Sequence, residues 1–335
     1  MSAENISLEL RKKTTDAKVG KVSSLEAFWI STKLDFHKNW VLYLLVLPVI
    51  IWYVVFCYIP IYGITLAFKN FTFNVNYSFF QNIMRSEWIG FAQFRSMFGS
   101  IYFGRILTNT LRISIASLAF GFPAPIIFAL LLNELHNQAF KKIAQTVSYL
   151  PYFISMVVIC GMIKDFTSDT GIVSVLLSKL LGTEPSAMLN DPNLFLSVYV
   201  ISGIWQTVGW SSIMYIAALS SIDQSLYEAA VIDGANKWKQ TLYVTLPGIL
   251  PTIIIMLILQ VGQLLNVSYE KILLLYNELT WSKAEVITTF SYRRGLLDRN
   301  WSYSIAVGVF NSVVNFILLI ATNAICRRTT EHSLW

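Results

Sequence analysis

Two groups of side chains carry most of the chemistry that this sequence offers. The first lies in the polar stretch "YEAAVIDGANKWKQTLYVTLP" at 227–247, where the carboxylate of Glu228 stands beside the small residues Ala229 and Ala230, with Asp233 and Gly234 just beyond. Small side chains allow another chain to approach closely, and a neighbouring carboxylate can pair with a cation on that chain. The chemistry is docking rather than catalysis. The second group is a polar stripe, Gln260, Gln263 and Asn266, at three-residue spacing along an apolar run, together with Trp205, Gln206 and Trp210 on the run before it. Aromatic faces stack on pyranose rings, and amides bond hydroxyls. The plainer use of the same residues is to tie membrane helices together and to mark bilayer interfaces.

Other chemistries lack their residues. The three histidines, His37, His136 and His332, sit in no HExxH frame, and Cys57, Cys160 and Cys326 form no CxxC pair, so neither a zinc site nor a disulfide framework is indicated. No GxxxxGK[ST] phosphate loop is present, so this chain does not hydrolyse ATP alone. The net charge of +6 fits membrane orientation, and no nucleic-acid partner is expected.

The elements that must position these groups follow from composition. The chain has 335 residues, 55% of them hydrophobic and 13% charged, with a mean hydropathy of +0.56; a soluble domain carries roughly 25% charged residues. Charge-free runs cover 39–68, 113–133, 143–163, 192–222, 240–269 and 300–326. Each reaches the roughly 20 residues that a helix needs to cross a bilayer core, where every backbone polar group must be satisfied within the segment. The fold class expected is therefore an all-α integral membrane protein with six transmembrane helices, spanning about 39–68, 113–133, 143–163, 192–222, 246–269 and 300–326. A polar tail (1–38) precedes them and a short one (327–335) follows. The first run is no cleaved signal peptide, because it lies behind a polar tail, is too long and lacks a small-x-small site.

Several runs contain prolines: Pro48 and Pro60 lie in the first, Pro123 and Pro125 in the second, Pro151 in the third, Pro247 and Pro251 in the fifth. They predict bent helices. With the N-terminus inside, 13 of the 25 Lys and Arg fall on the cytoplasmic side. The short segments 11–13, Lys141–Lys142 and Arg327–Arg328 favour that orientation. Outer loops are expected at 69–108, 164–191 and 270–299. The middle one carries "GIVSVLLSKLLG" (171–182), whose Val173, Leu176, Leu177 and Leu180 predict a short helix at the outer interface.

Locally, the loop at 223–247 reads as two short helices meeting at a glycine. Asp223 caps a helix from Gln224 to Asp233. Gly234 occupies the left-handed position that ends it. Asn236 caps a second helix that carries Trp238 and Leu242 on one face. Within this loop, "EAAVIDGANKWKQTLYVTLP" resembles the EAA loop of permease subunits of ABC importers, through Glu228, Ala229, Ala230, Asp233, Gly234, Ala235, Leu246, Pro247 and Pro251. Further stretches are similar to the polysaccharide-type permeases of that superfamily: "IPIYGITLAFKNF" (59–71), "YEKILLLYN" (269–277), "SYSIAVGVFNSVVN" (302–315) and the terminal "SLW" (333–335). Thr241 and Leu242 depart from the pattern, standing where larger aromatics are common.

The resemblance implies a coupling loop between the fourth and fifth helices, with Glu228, Ala229, Ala230, Asp233, Gly234, Leu246 and Pro247 facing an ATPase subunit. It implies a type I importer of the bacterial cell membrane, both termini cytoplasmic. Its parts would be a second homologous permease, two ATPase subunits that bind ATP and Mg, and an extracellular solute-binding protein that delivers a carbohydrate. The chain itself would be a non-catalytic transport subunit without a cofactor. A permease for a non-carbohydrate solute is the alternative. A secondary transporter would bury ionisable groups for ion coupling, and all six runs lack Asp, Glu, Lys, Arg and His. A membrane enzyme lacks paired carboxylates in the spans, and a scaffold or receptor would not need the EAA spacing.

Overall fold

The computed structural model describes residues 24–330 and 332–335; the expectation of a polar tail falls largely outside them, over 1–23. The chain divides into two units, Met1–Ile64 and Thr65–Trp335.

From Ser24 to Ile61 the first unit is one long helix. α1 runs from Ser24 to Tyr53 and continues through a π turn, Val54–Tyr58, into Ile59–Ile61. It begins well before the expected start at 39, because no Gly or Pro interrupts the sequence until Pro48. Asn39 leaves helical geometry (φ −117°, ψ 23°), and Asp35 braces the kink by accepting from Asn39 Nδ2 at 2.7 Å and from the Tyr43 hydroxyl at 2.5 Å. Pro60 has no amide to donate, and its ring crowds the carbonyl four residues back. The π turn widens the helix there, with Ile59 N–H reaching back five residues to Val54 O. Apolar side chains such as Leu45 and Phe56 stand exposed, as expected of a helix whose surroundings are not water.

The second unit is helical apart from one short ladder. In chain order it contains β1 (Lys69–Asn70), α2 (Phe79–Arg85), β2 (Glu87–Trp88), α3 (Ala92–Phe98), α4 (Phe103–Gly121), α5 (Pro123–Asn133), α6 (Gln138–Tyr149), α7 (Met156–Phe166), α8 (Ile172–Leu181), α9 (Phe195–Ser220), α10 (Gln224–Ile232), α11 (Lys237–Gln240), α12 (Leu246–Val261), α13 (Tyr269–Leu275), α14 (Trp281–Ala284), α15 (Ile287–Tyr292) and α16 (Trp301–Thr330). β1 and β2 pair antiparallel, Lys69 opposite Trp88. α9 is the central helix and packs against α4, α5, α6 and α12. Its buried residues Phe195, Val198 and Tyr199 join Ile113 of α4, Ile159 of α7 and Ile272 of α13 in one apolar cluster. Tyr215 and Leu219 join Ala129 of α5 and Ile249 of α12 in another.

Among the described residues, Asp35–Phe68, Phe103–Asn133, Lys237–Val261 and Trp301–Thr330 are long and apolar enough to cross a membrane, and Gln138–Phe153 with Met156–Phe166 adds a fifth if that bent pair is one span. The third run, expected as a single span at 143–163, is therefore broken, with a bend of 101°. Pro151 stops α6, Ile154 turns extended (ψ 138°), and Ser155 caps α7 by accepting from Val158 N–H. α9 fills the fourth run with 26 residues, but its serines, Gln206 and Thr207 dilute its apolar character, and it does not join the strongly apolar set.

α8 forms over the "GIVSVLLSKLLG" stretch, between Gly171 and the left-handed Gly182 (φ +67°). It buries Ser174 and Ser178 and exposes Val173, Leu176, Leu177 and Leu180. In the segment after α13, the carboxylate of Glu285, 2% exposed, pairs with Arg293 and, at 3.5 Å, with Arg105 of α4. Asn109 Nδ2 donates to the Ser282 and Glu285 carbonyls at 3.0 Å. These bonds fasten the segment to α4.

A Cβ on Gly209 of α9 would strike the backbone carbonyl of Ser148 in α6, whereas one on Gly161 of α7 would meet nothing within 4 Å. Gly209→Ala should force α9 off α6 and destabilise by about 1–3 kcal/mol. Gly161→Ala should stabilise by about 0.5–1 kcal/mol through reduced backbone freedom. Thermal unfolding midpoints in detergent should move in opposite directions, and a shared direction would refute this packing.

Candidate functional site

The loop between α9 and α12 folds as the spacing of its caps predicts. Asp223 Oδ1 accepts from Ser225 N–H at 2.9 Å, and these bonds to Ser225 hold the Asp223 carboxyl below the usual carboxylate range. α10 then ends with Ala235 N–H donating to Ala230 O at 2.8 Å and Gly234 N–H to Val231 O at 3.0 Å. This closure requires the positive φ of Gly234, +76°. Asn236 Oδ1 caps α11 through Lys239 N–H at 2.9 Å. A π turn, Thr241–Thr245, follows and leads into α12, with Pro247 in its first turn. It is the second π turn placed just before a proline, and it has the same steric reason as the first.

Three residues that sequence reasoning passed over make this elbow rigid. The Tyr227 hydroxyl lies 3.0 Å from Thr245 Oγ1, binding α10 to the foot of α12. Gln240, 7% exposed, donates through Nε2 to Ala235 O at 2.9 Å. Nothing in the sequence pattern marks them, because each is an ordinary polar residue in a polar stretch. Glu228, Ala229 and Asp233 are exposed, and so are Val231, Ile232 and Trp238, Ile232 at 86%. A carboxylate beside exposed apolar side chains on a capped elbow is a surface suited to a protein partner. Between the elbow and the end of α5 lies a cavity of about 600 Å³, lined by Glu134, His136, Tyr227, Glu228 and Lys237 among others.

The polar stripe is not a helical face. α12 ends at Val261, and Gly262–Leu265 turn away. A Cβ on Gly262 would collide with Leu319 of α16, so α16 packs tightly against the turn. Asn266 Oδ1 accepts from Asn311 Nδ2 at 2.6 Å and from Asn315 Nδ2 at 3.2 Å, while its own Nδ2 donates to Gln263 Oε1 at 3.0 Å. Asn315 Oδ1 accepts in turn from Leu265 N–H at 3.0 Å. Asn266 is thus part of the joint between this turn and α16, with Gln263 bonded to it.

The tryptophans also separate from the amides. Trp210 stacks on Tyr152 (4.7 Å between centroids, 4° between planes) and meets Phe153 edge-on, propping the Pro151 break. Trp205 lines an apolar cleft with Met162, Ile163, Phe166 and Ile201. Gln206 and Gln260 do come together. They line one cleft of about 310 Å³ between α9 and α12, with Tyr199, Gly203, Thr207 and Lys271. Among the described residues neither amide has a hydrogen-bond partner, so both remain available to a solute.

Lys271 is the residue of this cleft that sequence reasoning missed, having assigned it to an outer loop. It lies on α13, beyond the fifth apolar helix, yet it is 3% exposed and donates from Nζ to the Tyr199 carbonyl of α9 at 3.0 Å. Burial pushes its ammonium down to about 8. The available signal was its place just past a charge-free run, from which a four-carbon stem can reach back.

The sequence and fold are similar to those of known bacterial proteins. Protein LplB of Bacillus subtilis (strain 168) is 39% identical over 295 residues, 88% of this chain and 91% of that protein. The polygalacturonan/rhamnogalacturonan transport system permease protein YteP of the same organism is 37% identical, over 88% and 90%. Among solved structures, a chain of a bacterial alginate ABC transporter, crystallised in complex with alginate pentasaccharide-bound periplasmic protein, superposes with a TM-score of 0.80 at 38% identity, covering 90% of this chain and 98% of that one. From the break between α4 and α5 to the end of α16, residues 121–331 match the family described as "Binding-protein-dependent transport system inner membrane component". With that match over more than half its length, the capped elbow included, the chain belongs to this family of ABC transporter permeases.

Proposed function

We propose that this chain is one membrane-spanning subunit of an ATP-driven importer and forms part of the path for a carbohydrate delivered by an extracellular binding protein. The observation that carries the reading is the rigid elbow at Gly234, exposed beside Glu228, on a chain with no phosphate loop of its own. Energy must arrive through a contact, and the elbow is the surface built for one. Two ATPase subunits, holding ATP and Mg, grip the elbows of this chain and of a second homologous permease. Closure of the ATPase pair moves the elbow as one body, and α9 and α12 tilt with it. Such coupling requires the ATPase to contact the elbow differently in its two states. The carbohydrate assignment draws on the relatives, of which one is a polygalacturonan/rhamnogalacturonan permease and another an alginate transporter, and on the two unbonded amides in the cleft.

In this reading the chain crosses the bacterial cell membrane six times. The four long apolar helices, the bent pair and α9 make six, since α9 at about 1.5 Å per residue is longer than a bilayer core is thick. Both termini and the elbow at 223–247 lie in the cytoplasm, and α8 rests its exposed leucines in the outer interface.

Gly234→Val forces a β-branched residue into the left-handed region, at a cost of about 1–2 kcal/mol, and Glu228→Lys reverses the docking charge. Each should lower uptake by reconstituted complexes at least tenfold while the subunits still co-purify; normal uptake would remove the elbow from the mechanism. Gln206→Leu and Gln260→Leu each delete one hydrogen-bond partner, on the order of 1 kcal/mol, and should raise the KM for sugar uptake several-fold with assembly unchanged. An unaltered KM would return both amides to structure. Ile232→Cys, placed in a Cys57→Ser background, should react with a membrane-impermeant maleimide in inside-out vesicles only. Labelling of intact cells would invert the topology.

A further inference from the structure

We infer that Lys271 is the anion-recognising residue of the cleft between α9 and α12, and that the saccharide it selects bears a carboxylate. This rests on the importer reading and names the substrate class of the same cleft. The ammonium is buried, and its one hydrogen bond among the described residues, to Tyr199 O at 3.0 Å, uses one of three donors. Nζ also lies 4.7 Å from the centre of the Tyr199 ring. A Cβ built on Gly203 would come within 3.3 Å of Nζ. The bare backbone there keeps the head group from being walled in.

Among the described residues no carboxylate pairs with it. Among the described residues the ion pairs join Arg105 and Arg293 to Glu285, Lys237 to Glu134 and Arg294 to Asp298. None includes Lys271. The contrast with Glu285 is instructive, since that buried charge has two arginines. A buried cation left without an anion is unfavourable unless something enters to pair with it. Lys271 is also the one charged residue lining the cleft, so the site balances one negative charge, which suits a single carboxylate better than a dianionic phosphate. The amides of Gln206 and Gln260 and the hydroxyls of Thr207, Ser211 and Ser268 line the same space. A uronic acid unit offers the complementary set: ring hydroxyls for the neutral groups and one carboxylate for a charge-assisted bond to Nζ.

The test uses the whole complex, with its binding protein, in proteoliposomes, and compares uptake of oligogalacturonate with that of its methyl ester of equal length. Lys271→Met keeps the stem and removes the charge, and Lys271→Arg keeps the charge. Lys271→Met should cut oligogalacturonate uptake at least tenfold, Lys271→Arg should retain most of it, and methyl ester uptake should change less than twofold in either variant. Equal losses in the Met and Arg variants, or equal losses of both sugars, would make Lys271 a structural tie to α9 and overturn the proposal, leaving the carbohydrate reading intact. Transport of the ester but not the acid by the unaltered complex would overturn it in the same way. Transport of neither sugar would sink the carbohydrate reading as well.

Discussion

In hydrocarbon each backbone N–H and C=O must find its partner within the chain, and in this protein proline decides where that rule is met by regular helix and where it is not. Pro60 and Pro247 are each preceded by a π turn, in which carbonyls are taken up by amides five residues on. Pro151 goes further: the chain leaves helical geometry at Ile154, and a fresh cap at Ser155 starts α7 at a steep angle. Within the second unit the result is a set of bent elements around α9 rather than a bundle of straight rods. Bent elements leave clefts between them, and the cleft with Gln206 and Gln260 lies alongside α9.

The same accounting explains the elbow. Helix ends expose unsatisfied backbone groups, and the segment at 223–247 supplies a partner for many of them. Asp223 and Asn236 accept at the two N-termini, and Gly234 allows α10 to close on itself. Tyr227 and Gln240 then fix one short helix to the other and to the foot of α12. A loop satisfied in this way can transmit a push. A loop with free ends would absorb it. That distinction is what the proposed lever role of the elbow requires, and it rests on hydrogen bonds rather than on any large apolar core.

Charge is treated in two ways inside the second unit. Glu285 is buried with two arginines and fastens the segment after α13 to α4. Lys271 is equally buried, with a carbonyl and an aromatic face but, among the described residues, no carboxylate. Satisfied buried charges hold a structure together, and an unpaired one is costly to keep without a ligand. The two sites thus carry different roles from the same physics.

The sequence by itself determined the class of molecule and the local turns. Charge-free runs longer than a bilayer is thick have few alternatives to helix, so the long helices were legible. Caps and glycines act over three or four residues, so Asp223, Gly234 and Asn236 could be read one by one, and the helix at 172–181 with them. Tertiary structure alone decided what touches what. The three-residue spacing of Gln260, Gln263 and Asn266 suggested one helical face, but Gly262 let the chain turn where Leu319 presses against it, and Asn266 went to α16 instead. Trp210 was drawn to the broken helix at Pro151, which spacing does not foresee. Lys271 read as a loop residue, because its partner on α9 lies 72 positions earlier in the chain. Periodicity and capping are local in the chain, whereas the pairing of a buried polar group depends on which distant backbone the packed helices bring beside it.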